Sequence, residues 1–104
     1  MTGTRKEEER LQYFLEMLSS PEWNLRYRAA QELGRLGEPK ALDLLIQALR
    51  DEDWRVRQKA AWALGNIGDP RAIQPLRRLM TDPSDGVQDM IRQALDMIRR
   101  KMYT

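Results

Sequence analysis

The chain has 104 residues, of which 41% are hydrophobic and 33% charged. That composition excludes a disordered tail, and no stretch approaches the run of about 20 apolar residues that a spanning helix needs. Cys and His are both absent, which excludes disulfides, thiolate or imidazole metal sites, Cys nucleophiles and His general bases. Eighteen basic residues face 16 acidic ones, for a net charge of +2, and the basic residues are mostly Arg.

Apolar residues recur at three- and four-residue spacing through the chain, which predicts six helices, near 4–19, 21–36, 39–50, 52–67, 70–81 and 83–101. The first carries a charged cluster, Lys6–Arg10, and no apolar segment of a secretory signal, so a cytoplasmic location is expected. The second is expected to start at Ser20 as N-cap, with Pro21 as its first residue, and to end at Gly37 in the left-handed region. Pro39 starts the third. The fourth is expected to use Asp51 as N-cap and Glu52 in its first turn, and to end at Gly68. Asp69 caps the fifth, which Pro70 opens and Pro75 is expected to bend. Asp82 and Pro83 are expected to open the sixth.

A shift of 31 residues superposes the sequence on itself. Trp23, Arg26, Ala29, Ala30, Leu33, Gly34 and Gly37 fall on Trp54, Arg57, Ala60, Ala61, Leu64, Gly65 and Gly68. Pro39, Ala41 and Leu45 fall on Pro70, Ala72 and Leu76. Val87, Ile91, Leu95 and Ile98 continue the pattern forwards, and Leu11, Phe14, Leu15 and Leu18 continue it backwards. The expected architecture is therefore a single all-α domain over 1–104, a solenoid of three helix pairs at about 4–36, 39–67 and 70–102.

The run Val56-Arg57, Ala60-Ala61, Ala63-Leu64-Gly65, Ile67-Gly68-Asp69-Pro70 and Ala72-Ile73 resembles HEAT-like repeats of the short, phycocyanobilin lyase type, strongly over residues 22–83. The resemblance implies a right-handed superhelix of antiparallel helix pairs, with the second helix of each pair on the concave face. Bilin-lyase components belong to that family, as do many adaptors and regulatory subunits.

Gly34 and Gly65 lie late in second helices, where Gly costs about 1 kcal/mol relative to Ala, so a neighbouring unit is expected to approach closely there. In the third unit Asp96 replaces the glycine and Arg92 replaces Ala61. A following unit would bury both charges, so the last helix reads as a C-terminal cap, the charged first helix as the other cap, and the chain as a complete short solenoid.

Little in the sequence points to catalysis. The Gly-x-x-Gly pairs lack a following Gly-Lys-Ser/Thr, and Asp82–Gly86 lacks the Glu that closes a calcium loop. The serines, 19, 20 and 84, have no base beside them. No catalytic residue, metal ligand or cofactor is expected. Arg26 and Arg57 are read as pairing with loop carboxylates such as Glu38 or Asp69.

The exposed stripe of the second helices is more informative. It comprises Trp23, Tyr27, Arg28 and Gln31, then Trp54, Arg55, Gln58, Lys59, Trp62 and Asn66, then Asp89, Met90, Gln93 and Met97, with Arg35 and Asp85 at its ends. Trp, Tyr, Arg and Met are the composition of interfaces. Trp23 and Trp54 could instead pack the junctions between units, whereas Trp62, equivalent to Gln31 and Gln93, is expected to face out of the core. The stripe favours a protein-binding adaptor or regulatory module over an enzyme. A nucleic-acid binder is the alternative, opposed by Asp85, Asp89 and the small net charge. A non-catalytic component of a bilin lyase-like system is suggested by the resemblance alone. A weak homodimer through Met90, Met97, Met102 and Tyr103 is a further expectation.

Overall fold

The computed structural model describes residues 5–103. Its six α-helices are α1 (Arg5–Met17), α2 (Trp23–Leu36), α3 (Leu42–Ala48), α4 (Trp54–Ile67), α5 (Ile73–Arg77) and α6 (Asp85–Met102). Short 3-10 turns, Pro39–Ala41 and Pro70–Ala72, lead into α3 and α5. Helices α2, α4 and α6 stack side by side, and α1, α3 and α5 each pair with the second helix of their own unit. The result is an all-α solenoid, a slab 41 × 37 × 16 Å across its Cα atoms.

The core runs between the two helix rows. Leu33, Leu45, Leu49, Val56, Leu64, Leu76, Val87, Ile91 and Ile98 are fully buried. At the contacts between second helices the side chains shrink: Ala29, Ala30, Ala60, Ala61, Ala63 and Ala94 are all at zero exposure. Small residues bring the helix axes close, and Gly34 and Gly65 take this furthest. A Cβ on Gly34 would lie 2.6 Å from the Ala63 Cβ, and one on Gly65 2.8 Å from the Ala94 Cα. Close approach by the neighbouring unit is therefore what these glycines serve. The equivalent charged positions of α6, Arg92 and Asp96, are exposed.

Helix ends follow the sequence in part. Gly37 and Gly68 take the left-handed conformation, with φ of 64° and 78°, and their N–H groups close the last turns of α2 and α4. The Asp69 carboxylate caps the second 3-10 turn through the Arg71 N–H, and Glu38 caps the first through that of Lys40. The N-caps of the second helices lie two residues later than expected. They are Glu22, Asp53 and Ser84, not Ser20, Asp51 and Asp82. Asp51 and Asp82 instead accept from the N–H two residues on, at 2.9 Å in both cases, and so shape the approach to the helix. Pro21, Glu52 and Pro83 belong to those loops. The first helices of the second and third units are shorter than the apolar pattern suggests, because each opens as a 3-10 turn and closes before its loop. Pro75 falls within the first turn of α5, where its missing N–H has no intrahelical acceptor to lose, and not in a helix interior.

Two largely buried ion pairs tie successive units together. Arg26 of α2 donates through Nε and Nη2 to Asp51, at 2.7 and 3.0 Å, and through Nη1 to the Ser20 carbonyl. Arg57 of α4 repeats this with Asp82, at 2.7 and 3.2 Å, and with the Asp51 carbonyl. The expected pairing with loop carboxylates is there, but the partners are Asp51 and Asp82. Glu38 and Asp69 are committed to the 3-10 turns.

Candidate functional site

The second helices present one continuous face, and its central part is a ladder of aromatic rings and cations between α2 and α4. The Arg55 guanidinium lies 3.4 Å from the centroid of Trp23. Trp23 meets Tyr27 one turn along α2 in an edge-to-face contact at 6.1 Å. The Lys59 ammonium sits between Tyr27, at 5.1 Å, and Trp62, at 5.0 Å. Three- and four-residue spacing puts Trp23 and Tyr27 on one side of α2, and Arg55, Lys59 and Trp62 on the facing side of α4. Such contacts hold long cationic side chains in fixed directions.

Arg55 is held a second time. Its Nη2 donates to Asp53 at 2.8 Å and its Nε to the same carboxylate at 3.0 Å. Asp53 also accepts from the Arg55 N–H as the N-cap of α4. The Arg55 guanidinium hydrogen bonds hold the Asp53 carboxyl down at about 2, and they push the Arg55 pKa up. By contrast, Lys59 and Arg28 have no carboxylate within ion-pair distance among the described residues.

Other residues of the stripe are drawn into the junctions between units. The Asn66 amide donates to the Gly34 carbonyl. The Gln58 amide donates to the Gly86 carbonyl at 3.2 Å. Trp62, expected to face out of the core, is half-buried: its ring lies on the face but packs against the core beside Gly34. The physical reason is the absent Cβ of Gly34, which opens a slot that the indole fills. Trp54 is the tryptophan left outside, 48% exposed, and Trp23 is half-buried beneath Arg55. At α6, Met90 packs against the core and Met97 lies beside Gly65. Gln31, Arg28 and Gln93 are exposed, and Asp89 pairs with Arg92 at 3.0 Å. Of the four residues expected to form an apolar end, only Met102 and Tyr103 are exposed.

Two concave features lie outside the ladder. A cleft of about 600 Å³ between α1 and the end of α2 is floored by Leu11, Phe14 and Leu36 and rimmed by charges of both signs. A groove of about 350 Å³ between α3 and α5 is floored by Ile46, Leu49 and Leu79, with Arg50 and Arg78 at its edge. Neither was singled out in the sequence, because each forms between helices whose apolar residues read simply as core.

The family model described as HEAT repeats matches residues 11–96. The chain belongs to the HEAT-repeat family. Among solved structures, this HEAT-repeat chain is similar to an engineered protein, a structural-genomics target, at a TM-score of 0.73 and 21% identity. The match covers 86% of this chain and 45% of the other, so the chain spans less than half the length of that protein. At that identity the likeness shows the fold alone. No curated protein matches the sequence. The HEAT-repeat match is to the repeat in general. Among the described residues no helix is long and apolar enough to cross a membrane.

Proposed function

We propose that this HEAT-repeat chain is a cytoplasmic protein-binding module, an adaptor or regulatory unit without catalytic activity, whose partner lies across α2, α4 and α6. One observation carries the reading: Trp23, Arg55, Tyr27, Lys59 and Trp62 form a ladder held in place by their own stacking. Large aromatic and cationic side chains supply most binding energy at interfaces. Groups already fixed in direction lose little entropy on association. HEAT repeats commonly serve as scaffolds for protein partners, which agrees with this use of the face.

The test is affinity capture from the source organism with mass spectrometry, comparing the wild-type chain with Tyr27→Ala and Arg78→Ala. Tyr27 lies in the ladder and Arg78 lies by α5 on the opposite side. A partner retained by Arg78→Ala but lost with Tyr27→Ala, at matched melting temperatures, supports the proposal. Equal capture by both variants overturns the face. A gel-retardation assay at two salt concentrations tests nucleic acid, for which a steep salt dependence would be diagnostic. The expected outcome is no shift at either salt. Bilin absorbance is expected to be unchanged on mixing.

A further inference from the structure

The charge on the face is uneven, and this sets the chemistry of what it binds. Arg55 is matched by Asp53, and Asp89 is matched by Arg92. Lys59 and Arg28 remain without carboxylates among the described residues. The two occupy the same position in successive repeats, so they stand one helix spacing apart, on α4 and α2. The third copy of that position is Met90. Beyond it Asp85 and Asp89 stand exposed at the start of α6. Uncompensated positive charge on this face thus lies on the α2–α4 half, among the aromatic rings, and Asp85 adds uncompensated negative charge at the α6 end.

Lys59 is the better placed of the two cations. An ammonium flanked by two rings is partly shielded from water, yet a ring face cannot accept all three of its N–H donors. A carboxylate satisfies the remaining donors and gains from the reduced local hydration. Arg50, Arg77 and Arg78 also lack carboxylates among the described residues, but they lie off this face, at or just beyond the C-terminal ends of α3 and α5, away from the aromatic ladder.

Resting on the protein-binding reading above, we propose that the partner presents an acidic peptide segment, with its carboxylates on Lys59 and Arg28 and its adjoining apolar side chains over Tyr27 and Trp62. Asp85 fixes its direction, because it repels carboxylates at the α6 end.

The test is a titration of the ¹⁵N-labelled protein with a 15-residue polyglutamate peptide at low ionic strength, read by NMR. Shifts are expected to concentrate at the amides around Arg28 and Lys59 and at the Trp62 indole N–H. Lys59→Glu and Arg28→Glu should each weaken binding at least fivefold. Arg78→Glu makes the same change in net charge off the face and should leave affinity within twofold. Weakening by Arg78→Glu to the same extent, or the strongest shifts at Arg50, Arg77 and Arg78, would overturn the proposal. So would binding of a 15-nucleotide thymidine strand more tightly than polyglutamate through the same residues, which makes the face a nucleic-acid groove. If polyglutamate does not bind while Tyr27→Ala still loses the captured partner, the acidic assignment falls and the protein-binding reading stands. If polyglutamate binds as expected while capture ignores Tyr27, the reverse holds.

Discussion

Gly34 shows how much a single missing carbon decides in this protein. Its absent Cβ admits Ala63 and one edge of the Trp62 ring, and a Cβ built there would lie 2.7 Å from the latter. Both neighbours are fixed, one as a helix backbone and the other as a ring wedged against the core. Gly34→Ala should therefore destabilise the fold by about 3 kcal/mol, although Ala is the better helix former. Thermal or urea unfolding reads this directly, and an unchanged midpoint would mean that α2 and α4 are not in contact there. The Asp53 carboxyl makes a second test at this scale. Its pKa is depressed to about 2, first by the guanidinium hydrogen bonds of Arg55. The stability it contributes is complete above the ordinary carboxylate value near 4 and is lost as the pH falls through 2. Carboxyl-carbon NMR should find the Asp53 midpoint near 2 in the wild type and closer to 4 in Arg55→Met. Trp62→Ala should lower stability by about 2 kcal/mol and not only weaken binding, since the ring is packed beside Gly34.

At the scale of the elements, the two Arg–Asp pairs do what the N-caps alone would not. Each joins a second helix to the loop that opens the next, 25 residues away. The side chains of Arg57 and Asp82 are 13% and 3% exposed, so removing one partner strands a charge away from water. Arg57→Met should cost about 3 kcal/mol, and Arg57→Met with Asp82→Asn should cost less than the sum of the single changes. A double-mutant cycle in urea checks this, and strict additivity would refute the pairing.

These pairs also explain why the sequence was legible only in part. Gly37, Gly68, Pro39, Pro70 and Asp69 act on their own few residues, so their roles could be read in place. Asp51 and Asp82 could not be read that way. Each looks like an N-cap, with a good first-turn residue behind it, until an arginine 25 residues earlier claims its oxygens. The residues two positions on, Asp53 and Ser84, then take over the cap. The stripe of the candidate face was legible from the repeat. Which of its members also pack between the units was not, because Trp62, Asn66 and Gln58 each engage a backbone slot or carbonyl on a different helix.

For the whole molecule, the decisive comparison is between equivalent positions at the middle and the edge of the slab. Ala61 is fully buried between α4 and its neighbours, whereas Arg92, one repeat on, is exposed and pairs with Asp89. Ala61→Arg should prevent folding, since no acceptor awaits the guanidinium. Arg92→Ala should change stability by less than about 0.5 kcal/mol. Circular dichroism melts of both variants decide the matter, and similar small losses from each would contradict the stack.

The junction between α2 and α4 and that between α4 and α6 use the same fitting, a glycine on one helix receiving an alanine from the next. The middle unit therefore carries the socket on one side and the plug on the other. It is an interchangeable cassette: a duplicate spliced in behind it would meet the chemistry it already expects, with Ala63 of the copy in the slot of Gly65 and the Asn66 amide of the copy on the Gly65 carbonyl. Each added cassette would bring two more tryptophans, an arginine and a lysine to the same face. The number of middle units, more than any change of side chain, then sets how long a segment the face can grip.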